Sequence, residues 1–166
     1  MKTEKELNKI KKELKNHEER ISKLEEKRLA EVPLFQEEIK GIEKLVQKTG
    51  IPKEKIREIF DLEENILTVV ESVGKDDKEK IKNISLLVLL GYKYFFKKNE
   101  LFSQEIRRNV AENGVPLDNF ASVLNEIMPS LIRRKGKTKS PKTTYRLTVL
   151  GESKARELIK QLCEKD

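Results

Sequence analysis

The sequence predicts a mainly α-helical protein with three parts: a coiled-coil helix at residues 1–32, a small helical unit at 34–79, and a domain at 80–166 that combines helices with one β-hairpin. Charged residues make up 39% of the chain and aromatic residues 5%, which suits surface-rich helices better than a large β-sandwich or a deep ligand pocket. Apolar residues recur at helical spacing along most of the chain. Residues 131–148 instead contain two short strand-like segments around a turn.

The first helix carries a heptad repeat over residues 7–28, which is typical of a coiled coil. Its seam consists of Leu7, Ile10, Leu14, His17, Ile21 and Leu24. In a parallel pair, Glu6 and Lys11 would attract each other. Glu13 and Glu18 would repel each other in the same register. Two alternatives stay open: the apolar seam residues form a homodimer, or the helix packs on the rest of its own chain.

The small helical unit begins after Pro33, which ends the first helix. The segment LFQEEIKGIEKLVQKTG has apolar residues at helical spacing up to Gly50, and IPKEKIREIFDL begins another helix with Pro52 in its first turn. Together, IEKLVQKTGIPKEKIREIF resembles a helix-turn-helix of the repressor type, with Gly50 in the turn and Ile56 in the core. Because this region is net acidic, we expect it to serve packing or protein contacts rather than DNA binding. The next stretch, ENILTVVESVG, fits either a helix or a strand.

The C-terminal domain begins with a core helix, KIKNISLLVLLGYKYFFKK, whose buried face is predicted to carry Ile81, Ile84, Leu87, Val88, Gly91 and Phe95. Ser103 begins a second helix, which ends at Gly114. Asp118 is placed to cap a third helix, which stops at Pro129. SLIRRKG and TTYRLT form strands on either side of the turn KTKSPK. The last element, LGESKARELIKQL, is an amphipathic helix with inward residues Ala155, Leu158, Ile159 and Leu162.

Three helices, a hairpin and a closing helix resemble a winged helix-turn-helix domain over about residues 81–162. The segment YRLTVLGESKARELI is similar to the stretch that follows the wing in many prokaryotic winged-helix regulators. The matching positions here are Tyr145, Leu147, Thr148 and Gly151. The resemblance implies a DNA-binding domain in which the hairpin is the wing and the third helix enters the major groove.

Charge supports a nucleic-acid partner for this domain. The chain carries a net charge of +7, and no acidic residue lies between Glu126 and Glu152. The basic residues of that interval are Arg133, Arg134, Lys135, Lys137, Lys139, Lys142 and Arg146. A hairpin beside a duplex would place them near phosphates, where a carboxylate would repel the backbone. The alternative is a solubilising loop, but such a loop normally mixes charges of both signs.

The third helix has two predicted sides. Its inward residues are Phe120, Leu124 and Ile127, and its outward residues are Asn119, Ser122, Asn125 and Glu126. Asn119, Ser122 and Asn125 are the candidates for reading bases, because asparagine bonds adenine bidentately and serine donates or accepts. The helix lacks Arg and Lys, which predicts modest base readout. Arg107 and Arg108 on the second helix are further candidates for phosphate contacts.

Other classes of function find little support in the sequence. One histidine and the single Cys163 cannot complete a metal site, and the seven glycines are too scattered for a phosphate-binding loop. We therefore expect no enzyme activity and no cofactor. The charged N-terminus predicts no signal peptide, the apolar runs are too short for a membrane span, and the lone cysteine fits a reducing cytoplasm.

Two hypotheses follow from the sequence. The first is a cytoplasmic protein that binds double-stranded DNA, either a transcriptional regulator or a chromatin-associated factor, with the coiled coil pairing two winged helices. The second is a protein-interaction adaptor that uses the winged helix, the coiled coil and the acidic helical unit as docking surfaces. The acid-free hairpin favours the first hypothesis, and the uncharged third helix leaves room for the second.

Overall fold

The computed structural model describes residues 15–21, 38–63, 65–70, 74–137 and 140–164. The chain divides into two compact units, Met1–Glu37 and Glu38–Asp166. In the first unit, residues 15–21 are helical with exposed side chains, and Ile21 is 55% exposed. The remaining apolar seam residues lie outside the described residues: Leu7, Ile10, Leu14 and Leu24. The coiled coil and the homodimer stay predictions.

The second unit begins with two helices around Gly50, as predicted. Helix α1 covers residues 38–49, and α2 covers Lys53–Ile59. Gly50 has a φ of 75°, a left-handed conformation that glycine adopts without steric cost. Ile56 is fully buried, which confirms its predicted place in the core.

A β-hairpin follows α2 where the sequence predicts a continuing helix. Strand β1, Phe60–Glu63, pairs antiparallel with β2, Ile66–Val69. The prediction of helix through IPKEKIREIFDL is therefore wrong at its end, and within ENILTVVESVG the described residues Ile66–Val69 form a strand. Asn65 turns the chain with a φ of 69°, a conformation that asparagine tolerates better than most residues. The β-branched residues of β2 favour the extended backbone that follows.

Helix α3, Asp77–Phe95, is the central element of this unit. All six residues of its predicted buried face are buried, but burial extends around the helix, since Leu86, Leu90 and Tyr92 are at most 1% exposed. Gly91 allows the β1–β2 hairpin to approach, because a Cβ there would lie 2.3 Å from Cδ1 of Leu67. The predicted boundary at residue 80 therefore falls inside a core that the two predicted parts share.

The C-terminal elements follow in the predicted order, with one added strand. They are β3 (Leu101–Phe102), α4 (Ser103–Glu112), α5 (Phe120–Glu126), β4 (Ile132–Lys135), β5 (Thr144–Leu147) and α6 (Val149–Cys163). The sheet order is β3-β5-β4, and both pairings are antiparallel. Asp118 does not cap α5, contrary to prediction: Asn119 occupies the N-cap position without a side-chain bond, and Asp118 lies in the preceding turn.

Asn109 of α4 and Asn113, the residue that caps the end of α4, dock the β1–β2 hairpin onto the C-terminal elements. The amide of Asn109 accepts a hydrogen bond from the backbone N–H of Val69 at 2.9 Å and donates to the carbonyl of Leu67 at 3.0 Å. Asn113 donates to the carbonyl of Val69 at 2.8 Å. One edge of β2 pairs with β1. On the other edge, these side chains form hydrogen bonds with the backbone N–H and C=O groups, as a neighbouring strand would. Asn109 is fully buried.

The junction between β5 and α6 gives Thr148 and Gly151 specific structural roles. Thr148 caps α6 by accepting a hydrogen bond from the N–H of Gly151 at 3.0 Å, and its hydroxyl donates to the carbonyl of Ser130 at 2.6 Å. Its backbone N–H donates to the carbonyl of Leu131 at 2.9 Å. A Cβ on Gly151 would lie 1.9 Å from that same carbonyl oxygen, so only glycine fits. The predicted inward face of α6 is buried as expected. Within the described ranges, no helix is both long and apolar enough to cross a membrane.

Candidate nucleic-acid interface

The basic residues on the arms of the β4–β5 hairpin lie on two different faces. Arg133 lies opposite Arg146, and Arg134 lies opposite Tyr145. Side chains alternate between faces along a strand, and directly opposed residues share a face. Arg133 and Arg146 therefore occupy one face of the hairpin, whereas Arg134 occupies the other.

The face that carries Arg134 forms one wall of a groove, and α4 and α5 form the other wall. The groove has a volume of about 420 Å³, and it is lined in part by Gln104, Arg107, Ala121, Asn125, Arg134 and Pro141. No carboxylate is among its lining residues in the described part of the chain. The guanidinium of Arg107 lies 4.5 Å from the ring centre of Phe120, a cation–π contact that holds the charge at the groove wall. The structure thus brings together Arg107, Asn125 and Arg134.

The exposed side of α5 carries the residues predicted to read bases: Asn119, Ser122 and Asn125. The side-chain oxygen of Asn125 accepts a hydrogen bond from Arg134 at 3.5 Å. The hydroxyl of Ser122 donates to the carboxylate of Glu126 at 3.4 Å. Lys78, from the start of α3, lies 3.9 Å from the same carboxylate and offsets part of its charge. The contact between Lys78 and Glu126 could not be predicted from the sequence, because no local pattern places α3 beside the end of α5.

The turn of the hairpin is anchored by Thr143, which is 3% exposed. Its hydroxyl donates to the carbonyl of Lys137 at 2.5 Å, and its own carbonyl accepts from the N–H of Ser103 at 3.0 Å. The second bond joins the turn to the start of α4. Lys137 and Lys142 extend from this anchored turn with exposed side chains. Lys139 lies outside the described residues.

Glu100 brings a carboxylate to a hairpin that has none in its own sequence. This residue lies in the loop before β3, 3.5 Å from the Nζ atom of Lys135, and accepts a hydrogen bond from the hydroxyl of Thr144 at 3.2 Å. The charge of Lys135 is therefore partly offset. Lys135 is a weaker candidate for a phosphate contact than the other basic residues of the hairpin.

Arg108 is directed toward β2 and not toward the groove. Its guanidinium donates to the carbonyl of Leu67 and to the hydroxyl of Tyr92, both at 3.3 Å, and its Nε atom lies 3.5 Å from the carboxylate of Glu112. These partners occupy donors that a phosphate would need. The neighbouring arginines of α4 therefore differ, since Arg107 faces the groove and Arg108 ties α4 to the β1–β2 hairpin.

On the opposite face of the β4–β5 hairpin, Arg133 and Arg146 line a second concavity, which we call the rear cleft. Its volume is about 430 Å³, and Leu89, Lys93, Asn99 and Leu147 complete much of its lining. Arg133, Arg146 and Asn99 are exposed at its mouth. Four of the predicted phosphate-contacting residues are thus divided between two concavities: Arg107 and Arg134 line the groove, and Arg133 and Arg146 line the rear cleft.

A carboxylate network lies next to the rear cleft. Glu152 in the first turn of α6 accepts hydrogen bonds from Lys93, Tyr94 and Arg156. Burial alone would raise the pKa of the Glu152 carboxyl. The hydrogen bonds from Lys93 and Tyr94, together with the charges of Lys93 and Arg156, lower this pKa below its usual value. Burial and the hydrogen bond to Glu152 raise the pKa of Tyr94.

Chemically, the groove offers guanidinium and amide donors, which bind anionic oxygen atoms. Within the described ranges, no group of three or more His, Cys, Asp or Glu side chains is placed to hold a metal ion.

In comparisons with protein-family models, curated proteins and solved structures, the chain has no match.

Proposed function

We propose that the protein binds double-stranded DNA through a winged helix-turn-helix domain at about residues 81–162, with β4–β5 as the wing and α5 as the helix that enters the major groove. The element order supports the proposal: three helices precede the hairpin, and the short β3 after the first of them pairs with β5. This arrangement fits the architecture that the resemblance implies.

The observation that carries the proposal is the groove between α5 and the hairpin. Two arginines line it, and no carboxylate is among its described lining residues. In a winged helix that binds DNA, one strand of the duplex passes between the helix in the major groove and the wing. Arg107 and Arg134 would contact phosphates of that strand, and Lys137 and Lys142 would contact phosphates near the tip.

Base readout would come from the exposed side of α5. Asn119, Ser122 and Asn125 offer hydrogen-bonding groups for base edges, but α5 carries no basic residue. Affinity would therefore come mainly from phosphate contacts, with modest sequence preference. This balance suits a transcriptional regulator with a degenerate site or a chromatin-associated factor, acting in the cytoplasm.

The test is an anisotropy titration of the full chain with a fluorescent duplex of random sequence at several salt concentrations. Arg107→Gln with Arg134→Gln removes two charges from the groove. We expect weaker binding and a plot of log affinity against log salt that is shallower by up to about 1.8, because each phosphate that the protein neutralises adds about 0.9 to the slope. Melting curves would verify that the double variant is folded.

The matched control is Arg133→Gln with Arg146→Gln, which removes the same charge from the rear cleft. It should weaken duplex binding less than the groove variant does. Equal losses would mean that net charge sets affinity and that the groove has no special role. A parent protein that does not bind the duplex at about 50 mM salt would overturn the proposal.

A homodimer is the second part of the proposal. Ile21 is helical and 55% exposed within its unit, as a seam residue would be before it meets a partner. Removal of residues 1–32 should convert a dimer into a monomer in sedimentation without loss of the C-terminal fold. Leu14→Asp should act in the same way, because it puts a charge into the seam. A full-length chain that sediments as a monomer would contradict this part.

One observation favours the adaptor as the second candidate function. A cleft of about 460 Å³ between α1 and α2 has an apolar floor of Ile39, Ile42 and Val46, with Lys53 and Arg57 at its rim. Such a surface could receive a partner segment with apolar and acidic residues. If the duplex titration finds no binding, this second function becomes the leading candidate.

A further inference from the structure

The rear cleft is distinct from the groove, because the two concavities lie on opposite faces of one two-stranded hairpin. Arg133 and Arg146 lie directly opposite each other in the ladder, so both guanidinium groups extend from the same face. Arg134, one residue away, lines the groove instead. A ligand in the rear cleft would therefore leave the groove open.

The charges of the rear cleft are only partly neutralised. Like charges directly opposite each other on paired strands destabilise a sheet. Lys93 has a carboxylate partner in Glu152, but within the described part of the chain no hydrogen bond or ion pair joins Arg133 or Arg146 to another residue. Three cations thus line one concavity, two of them without an ion-pair partner among the described residues, and no carboxylate is in its described lining. An anion between them would relieve the repulsion.

The size of the rear cleft is compatible with a small-molecule ligand. Its volume of about 430 Å³ lies within the range of small-molecule sites, roughly 300–1,000 Å³. Leu89 contributes apolar surface to its lining, and the amide of Asn99 adds a neutral hydrogen-bonding group at the mouth. Guanidinium groups match phosphate oxygens in a two-point geometry that a lysine cannot reproduce.

We infer that the rear cleft binds a small phosphorylated molecule, whose phosphate lies between Arg133 and Arg146 and whose remaining part lies against Leu89. The inference goes beyond DNA binding and does not depend on it. It assigns Arg133 and Arg146 to a separate anion site, although their sequence context alone groups them with the other basic residues of the hairpin.

Calorimetric titration of the full chain with inorganic pyrophosphate tests the anion part of this site. We expect saturable one-site binding and a rise in melting temperature with pyrophosphate concentration. Arg133→Gln with Arg146→Gln should weaken binding by at least about tenfold, since it removes the charge-assisted hydrogen bonds. Arg107→Gln with Arg134→Gln removes the same charge from the opposite face and should leave the affinity within about twofold.

A second measurement needs no substitution. Nuclear magnetic resonance titration of the parent protein with pyrophosphate should shift the signals of Asn99, Arg133 and Arg146 more than those of Arg107 and Asn125. Absence of saturable binding, or larger shifts in the groove, would overturn the inference. Equal losses in the two double variants would also overturn it, because they would mean adsorption to net charge.

The result separates this inference from the proposed function. If Arg133 and Arg146 are needed for duplex binding while pyrophosphate fails to bind, the rear cleft belongs to a nucleic-acid interface and the inference is wrong. If pyrophosphate binds as expected and no duplex binds, the inference holds and the proposed function fails.

Discussion

The guanidinium of Arg134 on β4 donates a hydrogen bond to the side-chain oxygen of Asn125 on α5 across 3.5 Å. This bond joins the two walls of the groove through one residue predicted to contact phosphate and one predicted to read bases. A bidentate bond to adenine would use both the oxygen and the nitrogen of the Asn125 amide. The amide oxygen has two lone pairs, so Arg134 could keep this bond while its other N–H groups contact a phosphate. If the proposed function is right, Arg134 would thus orient Asn125 for base readout as well as contact a phosphate.

Alanine at Asn119 and Asn125 should reduce preference among duplexes while leaving affinity for random duplex nearly unchanged. Each good base contact contributes about 1–3 kcal/mol of discrimination. Competition titrations over a panel of duplexes would measure the effect, with Asn99→Ala as a control for loss of an exposed amide outside the groove. The prediction fails if the parent protein binds every duplex equally, because no readout would then exist.

Alanine at Lys137 and Lys142 should remove phosphate contacts without changing the fold, because both side chains are exposed on the turn. The salt dependence of duplex affinity should become shallower by up to about 1.8 in log–log slope, with similar losses on every sequence. The melting temperature should barely move. Alanine at Lys154 and Lys160 on α6 is the charge-matched control. An unchanged slope in the turn variant would exclude the tip from the interface.

Replacement of Asn109 by Ala should destabilise the chain strongly although it removes few atoms. The substitution leaves the N–H of Val69 without its acceptor, whereas the carbonyl of Leu67 keeps a hydrogen bond from Arg108. Because a buried group left unsatisfied costs about 1–3 kcal/mol, the free energy of unfolding should fall by roughly 1–3 kcal/mol. Urea denaturation would measure it, with the exposed Asn119→Ala as control. A loss below about 0.5 kcal/mol, as at an ordinary surface site, would refute the docking role.

Gly151→Ala should also destabilise the chain, because the new methyl group would collide with the carbonyl oxygen of Leu131. To avoid this clash, the start of α6 must move away from the loop before β4. This movement should lower the free energy of unfolding by about 1–3 kcal/mol or more. Ser153→Ala, two residues later in the same helix, is the control. Equal melting temperatures for the two variants would show that the close approach is not maintained in solution.

The Glu152 network should make stability depend on pH. The pKa of Glu152 is lowered in the folded chain, so the unfolded chain takes up a proton first as the pH falls. The contribution of this carboxylate is complete above its unfolded value of 4.5 and is lost as the pH falls through the folded value. The parent and Glu152→Gln should differ most in melting temperature near neutral pH and converge in acid. If the difference in melting temperature between the two proteins were the same at every pH, the network would not stabilise the fold through the charge of Glu152.

The elements of the C-terminal domain could be predicted because their signals are local. Ser103 begins a helix, Gly114 ends it, and the strands around KTKSPK adjoin a turn rich in small and basic residues. The β1–β2 hairpin could not be predicted in full, because helical spacing continues through Phe60 and the partner that favours the strand is a buried asparagine in another helix.

The basic character of the candidate site could be predicted from the sequence, but the arrangement of its residues could not. An acid-free basic segment is visible in the sequence, whereas its division between two faces depends on the register that sets Arg133 against Arg146. Glu100 and Lys78 change the local charge from distant positions in the chain. The different directions of Arg107 and Arg108 follow from the packing of α4, which composition does not report.

The position of β4 has a consequence for self-association. In the sheet order β3-β5-β4, this strand is at an edge, and such an edge can recruit a strand from another molecule. Arg133, Arg134 and Lys135 cover it with three successive charges, which keep copies of the sheet apart. Side chains that are candidates for phosphate contacts would therefore also oppose aggregation. A variant without all three would be expected to aggregate, and light scattering would detect this before any change in binding could be interpreted.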